Sequence, residues 1–519
     1  MNTMMSGRGL LFFCLSVLFF LGQVTNGYKM LFVFPMPASS HYKLGNALAK
    51  RLVAAGHDVT MISFFEEKNP PKGGTWTNVL LPGMDKAVHN EPMNFFDLEH
   101  APPVVGIYVT HQLGNSLTKT MFEHENFRKL LASNQKFDVI VMEQFCNDAM
   151  KVLGWYYDAP MIMLSTVGAN FWINPLVGNP SPLSYIPDLH LDCFQNMTLM
   201  QRVKNTLITV FQLVHYELIY LPAQREILKE AFPESPSLDQ MITNISLVLL
   251  NSHESTNQAV PLVPNMINVG GMHISPAKGL PKDLKDIMDS AKEGIVYFSM
   301  GSNIDPTMMK EEISTAIFNA LGKLPYKVFV KWPKDVPGKN KNIEIRPWFP
   351  QQDVLAHPNV KLFVTHGGLL STLETIYYGV PVLTLPIFGD QKMNAAKARA
   401  AGYGLSLTFS TITEEALNNA LKEILTNKKY TENAKLRSRL MHDRIVKPMD
   451  TAVYWVEYVV RNKGAPHLRV GAVNMPFYKY FLLDVIALFV LAFSIVLTIV
   501  YMTCKMICCS RKTKKSKKE

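Results

Sequence analysis

The densest run of chemically capable residues is Phe363-Val-Thr-His-Gly-Gly-Leu-Leu-Ser-Thr-Leu-Glu374. An apolar strand ends there at a histidine and two glycines, and a helix follows. Glycines at that point let backbone approach a ligand at the helix N-terminus, where free N–H groups and the dipole attract phosphate. His366 can donate to a phosphate oxygen from the same place, and Glu374, two turns along, can accept from sugar hydroxyls. Upstream, Arg346-Pro-Trp-Phe-Pro-Gln351 offers Trp348 as a stacking surface and Gln351 as a two-way amide for a base edge. Downstream, Asp390-Gln391 heads another helix. Each has an ordinary alternative. A glycine pair after a strand is often only a tight turn, Trp348 could be core, and Asp390 as an N-cap is worth about 1 kcal/mol with no ligand at all. Their conjunction is what argues for a site.

Other chemistries lack their residues. The chain has no His-Glu-x-x-His or paired Cys-x-x-Cys for zinc, no Gly-x-x-x-x-Gly-Lys-Ser/Thr loop and no Gly-x-Ser-x-Gly elbow. Basic residues interleaved with aromatics are absent outside the C-terminal tail, so no nucleic-acid partner is expected.

The elements that must carry these residues read as two α/β halves. In the first, Lys29–Pro35 is a near-continuous apolar run of the kind buried in a parallel sheet. A loop leads into His41–Ala55, where Leu44, Ala47, Leu48 and Val53 trace a helical stripe; Gly56 ends it and Asp58–Phe64 is the next strand. Further strands are predicted at Phe137–Met142 and Ala159–Ser165. The stretch Pro175–Pro236, with an amphipathic piece at Leu199–Tyr220, leaves the sheet as a binding wall. The second half repeats the pattern. Strands are predicted at Ile295–Met300, Tyr326–Lys331, Asn342–Arg346, Val360–Thr365 and Val380–Leu385, with helices at Thr307–Leu321, Leu369–Tyr378 and Gln391–Ala401. Asn265–Ser275 is the expected linker. The fold class is therefore α/β, two doubly wound domains facing across a cleft, the standard ligand position.

The ends carry membrane signals. Arg8, the apolar run Leu10–Leu21 and the small residues before Gly27 have the layout of a secretory signal peptide, residues 1–27. Phe481–Cys504 is long enough to cross a bilayer, and its only charge is Asp484 near the entry end. Of a net charge of +10, the seven Lys/Arg of residues 505–519 against Glu519 account for +6 and Arg8 for one more, leaving +3 for everything between. The basic tail is thus placed in the cytoplasm and residues 28 to about 478 in a lumen. Lys515 and Lys517 resemble a Lys-x-Lys-x-x retrieval signal for the endoplasmic reticulum. Only Cys146 and Cys193 face the oxidising lumen, leaving room for one bridge that spacing cannot establish. Asn196-Met-Thr and Asn244-Ile-Ser are glycosylation candidates.

The conjunction at Trp348–Gln391 resembles the donor-binding signature of the UDP-glycosyltransferase family, in its membrane-anchored animal branch. Phe298-Ser-Met-Gly-Ser302 is similar to the family's first phosphate loop, and Asp450–Arg469 to its run into the membrane anchor. The resemblance covers essentially the full chain. It implies two Rossmann-like domains of GT-B type: an acceptor domain at 28–265, a nucleotide-sugar domain at 276–446, a return helix and juxtamembrane segment at 447–478, and an anchor at 480–504. By this resemblance Trp348 stacks on uracil and Gln351 meets its edge or the ribose. Glu374 accepts from ribose hydroxyls, Ser302, His366, Gly368 and Ser371 surround the diphosphate, and Asp390 and Gln391 bind the sugar. Leu370 stands where many plant and vertebrate members carry Asn; leucine there suggests an insect enzyme using glucose.

The family's reaction is direct displacement at the anomeric carbon with inversion, with no metal or other cofactor beyond the UDP-sugar co-substrate. His41 matches the family's base, and its place at a helix start disfavours the imidazolium. The carboxylate that orients it falls at Glu143 by the family's spacing from Phe137, with Asp148 the other candidate. The expected activity is transfer of a sugar to a hydroxyl of a small lipophilic molecule, with walls around Pro70–Val105 and Asn170–Tyr220 selecting the acceptor. An anchored, non-catalytic binding subunit is the second reading. Homo- or hetero-dimerisation through the anchor is compatible with this layout.

Overall fold

The computed structural model describes residues 27–88, 94–336 and 338–515. The expected signal peptide before Gly27, and Lys517 of the expected retrieval signal, lie outside the described residues. Two all-parallel sheets dominate residues up to Arg469. The first contains β1 (Lys29–Phe34), β2 (Asp58–Ser63), β3 (Trp76–Leu80), β4 (Val139–Glu143), β5 (Met161–Ser165), β6 (Leu247–Leu250) and β7 (Met266–Asn268), in the order 3-2-1-4-5-6-7. The second contains β8 (Ile295–Ser299), β9 (Lys327–Lys331), β10 (Ile343–Arg346), β11 (Val360–Thr365), β12 (Val382–Thr384) and β13 (Gly404–Ser406), in the order 10-9-8-11-12-13.

The continuous apolar runs follow from burial on both faces. On β1, Leu31 and Val33 enter one core cluster while Met30, Phe32 and Phe34 enter another. On β8, Val296 and Phe298 are divided in the same way from Ile295 and Tyr297. Helix α1 (Ser39–Ala54) packs Leu44, Leu48, Leu52 and Val53 beneath the first sheet. Gly45 permits a close approach there: a Cβ would lie 2.5 Å from the Phe34 ring, and the contact sets where the start of α1 emerges. Helices α2 (Pro103–Glu123) and α3 (Leu199–His215) follow in the first half, α4 (Leu369–Tyr378) and α5 (Gln391–Ala400) in the second. Helix α6 (Pro448–Arg461) then returns to the first half. Its Ala452, Val456 and Val459 join the cluster of Met30 and Phe32, and Glu457 meets His57 Nε2 at 3.1 Å. The segment from Val470 onward is a separate unit whose helix α7 (Leu483–Lys515) contains a 25-residue stretch, Leu483–Ile507, apolar and long enough to cross a membrane.

Several elements differ from expectation for local reasons. The helix expected from Thr307 begins at Glu311. The Asp305 carboxylate caps Thr307 N, only Pro306–Met308 winds as a 3₁₀ turn, and the chain extends again before two glutamates open the helix. The stretch expected to be a linker contains β7, the edge of the first sheet. Strands β3, β6 and β13 were not foreseen. Cys146 and Cys193 form no bridge; both thiols are free and buried.

Asp148 is not delivered to His41. It is buried with Lys151 in a direct ion pair, and it also accepts from Gln144 Nε2 at 3.2 Å and Tyr216 Oη at 3.1 Å. Burial alone would raise this carboxyl, but Lys151, together with the hydrogen bonds of Gln144 and Tyr220, holds it below the ordinary carboxylate value. Replacing Lys151 by Met leaves an uncompensated buried charge and is expected to cost about 3–5 kcal/mol in a denaturation titration. Because the Asp148 pKa is depressed by folding, the pair stabilises above the unfolded-state pKa and is lost as pH falls through the folded one. Wild type should therefore shed stability on acidification below the usual carboxylate range, and a Lys151→Met, Asp148→Asn double variant should lack that loss.

Candidate active site

Parallel pairing carries every strand's C-terminal loop to one edge of its sheet, and each sheet has a switch point where strand order reverses. His41 follows β1 and Glu143 ends β4, the two strands flanking the first switch point. Ser302 follows β8 and His366 follows β11, flanking the second. The two edges meet: Ser39 Oγ and Ser302 Oγ share a hydrogen bond at 2.6 Å, and Asn303 Nδ2 donates to Ser40 Oγ at 3.5 Å. Between them lies a cavity of about 2330 Å³. Its lining includes His41, Ser302, Trp348, Gln351, His366, Gly368, Ser371, Glu374, Asp390 and Gln391.

His41 sits in the first turn of α1, its Nδ1 3.1 Å from Glu143 Oε2, with Phe145 edge-on at 5.0 Å. Glu143 is buried behind it, and its other oxygen accepts from Met36 N at 3.3 Å. Opposite a carboxylate, Nδ1 carries the hydrogen and Nε2 keeps its lone pair, the arrangement of an oriented general base.

His366 fills the space between two glycines. A Cβ on Gly301 would lie 2.5 Å from its Cε1, and one on Gly368 2.5 Å from its Nε2. Gly301 also has φ +80°, so that loop requires glycine twice over. Removal from water, together with the charge of Lys331, lowers the His366 pKa to about 4, so the ring is neutral at physiological pH.

Glu374 is a hub. It accepts from Gln351 Nε2 at 2.5 Å and Gln352 Nε2 at 2.9 Å, with His273 Nε2 3.6 Å away. Gln351 also donates to Ser371 Oγ and accepts from Tyr297 Oη, which among the described residues leaves one lone pair of its Oε1 free. Gln391 Oε1 accepts from Ile387 N and Phe388 N and so shapes the loop before α5. Asp390 stands at the N-cap position of α5 but makes no capping bond; its carboxylate accepts from Asn394 Nδ2 at 2.7 Å, which removes the capping explanation for it. Burial raises its pKa. Trp348 is 56% exposed, which excludes the core alternative, and carries two ammonium groups on its ring: Lys331 Nζ 4.5 Å and Lys43 Nζ 5.0 Å from the centroid. Leu370 packs against the apolar cluster of the first half, a contact that an Asn there would forfeit.

Sequence reasoning missed Lys43, Lys331, Gln352 and His273. Gln352 adjoins Gln351 and Lys43 lies two residues from His41, but nothing in the one-dimensional pattern pairs Lys331 or His273 with the site.

A family model described as UDP-glucoronosyl and UDP-glucosyl transferase matches residues 107–519. The chain belongs to that family. It is a glycosyltransferase that uses a UDP-sugar donor. Among relatives of this UDP-glycosyltransferase, UDP-glycosyltransferase UGT5 of Dactylopius coccus is 38% identical over 489 residues, 92% of each chain. UDP-glucosyltransferase 2 of the same insect is 30% identical over 93% of this chain and 94% of its own. The solved structure of CalG4, the calicheamicin glycosyltransferase, superimposes with a TM-score of 0.58 at 16% identity, covering 84% of this chain and 99% of that one. The fold of the UDP-glycosyltransferase is thus GT-B.

The Glu374 hub gives a test of its own. Glu374→Ala strands the buried amides of Gln351 and Gln352 and is expected to cost about 1–3 kcal/mol, read as a lower melting temperature. Glu374→Gln keeps one acceptor oxygen and should lose less.

Proposed function

We propose that this UDP-glycosyltransferase transfers glucose from UDP-glucose, with inversion and without a metal, to a hydroxyl of a small lipophilic acceptor in detoxification or metabolite conjugation. The observation that carries the reading is the His41–Glu143 pair at 3.1 Å on the wall of the interdomain cavity. Nε2 of His41 takes the acceptor's proton, the acceptor oxygen bonds to the anomeric carbon, and the anomeric C–O bond breaks with its electron pair going to UDP. Glu143 orients the ring and stabilises the imidazolium that forms. Asp148 is withdrawn from this role, since its carboxylate is spent on Lys151.

Uracil would stack on Trp348, with Gln351 at its edge and Glu374 at the ribose. Ser302, His366, Gly368 and Ser371 would surround the diphosphate; neutral His366 donates one N–H without adding charge. Asp390 and the amide nitrogen of Gln391 would take the sugar hydroxyls. An apolar acceptor is supported by Phe64, Phe65, Phe95, Leu98, Trp172 and Leu189 in the cavity wall. Glucose is supported by Leu370 and by the insect relative named a UDP-glucosyltransferase.

The layout also supports a lumenal body anchored in the endoplasmic reticulum through Leu483–Ile507, with the basic tail cytoplasmic and glycans on the exposed Asn196 and Asn244. An endoglycosidase H shift lost in an Asn196→Gln, Asn244→Gln variant checks that placement.

The deciding experiment is turnover in microsomes given UDP-glucose, UDP-glucuronate or UDP-N-acetylglucosamine with a panel of phenols and other lipophilic alcohols. Conjugates should form from UDP-glucose. His41→Ala should lower kcat by about 10²–10⁴-fold while UDP binding persists, and Glu143→Gln should lower it as well. Absence of product from every donor, with UDP still protecting the protein against heat, would establish the non-catalytic reading instead.

A further inference from the structure

Lys43 and Lys331 come from opposite halves of the molecule and converge on one tryptophan. Lys43 lies on α1, the helix that carries His41; Lys331 is the last residue of β9. Among the described residues neither ammonium has a carboxylate partner. Lys331 Nζ donates to Gly301 O at 2.8 Å, and both ammonium groups lie over the Trp348 ring. Glu374, the acid whose charge reaches Lys43, is occupied by Gln351 and Gln352. Loss of solvent pushes Lys331 down to about 8, and the neighbouring charge of Lys43 adds to the effect. Two like charges held together in a cleft, without a counter-ion, mark a place for an anion.

The surroundings say which part of a nucleotide sugar supplies it. Lys331 is tethered to the carbonyl of Gly301, the residue beside Ser302 and against His366. Lys43 is four residues beyond Ser39, whose hydroxyl holds that of Ser302 across the cleft. Both side chains therefore flank the loop after β8. A uracil stacked on Trp348 would also compete with the ammonium groups for the face of the ring.

We propose that Lys43 and Lys331 bind the donor's diphosphate, leaving the Trp348 ring as the base enters and clamping the two halves of the protein around the leaving group. The inference rests on the placement of the donor at Trp348. In the transfer step the anomeric C–O bond breaks and its electron pair adds negative charge to the β-phosphate; the two ammonium groups offset that charge and exchange no proton. His41 and Lys43, two residues apart on α1, point to different sides of the helix, so one helix addresses the acceptor proton and the departing phosphate at once.

The test is calorimetric titration of the full chain in nanodiscs with uridine, UDP, UDP-glucose and UDP-glucuronate, in wild type, Lys43→Met, Lys331→Met and Lys331→Arg. Each Met variant should weaken UDP and both UDP-sugars about ten-fold or more, leave uridine unchanged or tighter, and melt as wild type does without ligand; Lys331→Arg should restore UDP binding. Equal losses for uridine and UDP, or no loss for either, would overturn the assignment. A loss confined to UDP-glucuronate would overturn it in favour of a site for the sugar's carboxylate. Because binding is read rather than turnover, an inactive protein with these affinities would refute the catalytic reading and leave this one standing.

Discussion

Both sheets are wholly parallel, and that constraint governs everything at the site. A parallel strand cannot return by a hairpin, so each is followed by a loop at one edge and a crossover back. The chemistry-bearing loops, after β1 and β4 in one half and after β8 and β11 in the other, therefore collect at two switch points. The Ser39–Ser302 hydrogen bond marks where these edges touch. The return of α6 to the first sheet ties the end of the second half to the beginning of the first through Ala452, Val456 and Val459.

Within that frame the site is held by exclusion as much as by attraction. His366 has its position because two glycines leave room for its imidazole, which a Cβ on either would meet at 2.5 Å. Glu374 is kept ionised in a buried place by the neighbouring His273 ring and then by two amide donors, and the amide bonds hold Gln351 and Ser371 together at the cleft. The acid behind His41 needs little support of its own, because it ends a central strand already fixed by β1 and β5.

The second half was the more legible in sequence. Apart from Ser302, its expected site residues fall within one stretch, 348–391, where strand, turn and helix succeed each other at short range, so local spacing foretells which side chains share an edge. The acid beside His41 was open between Glu143 and Asp148, because residues about a hundred positions away must be brought together by pairing of β1 with β4. The pairing places the end of β4 beside α1, and Lys151, three residues beyond Asp148, draws that carboxylate into its own buried pair. The start of the helix at Glu311 was hidden by a side-chain cap on Thr307, a competition between local hydrogen bonds that apolar periodicity does not record.

Amino-acid order by itself determined the α/β class, most of the buried strands and the apolar segment near the C-terminus. These are local properties: burial on both faces writes a continuous apolar run, and a tight strand-to-helix turn writes its own glycines. Tertiary structure decided which carboxylate meets His41, that Cys146 and Cys193 remain apart as free thiols, and that Lys43 and Lys331 share the ring of Trp348. Such contacts join residues up to several hundred positions apart, and their distances follow from sheet order and from the docking of two domains, which no spacing along the chain encodes.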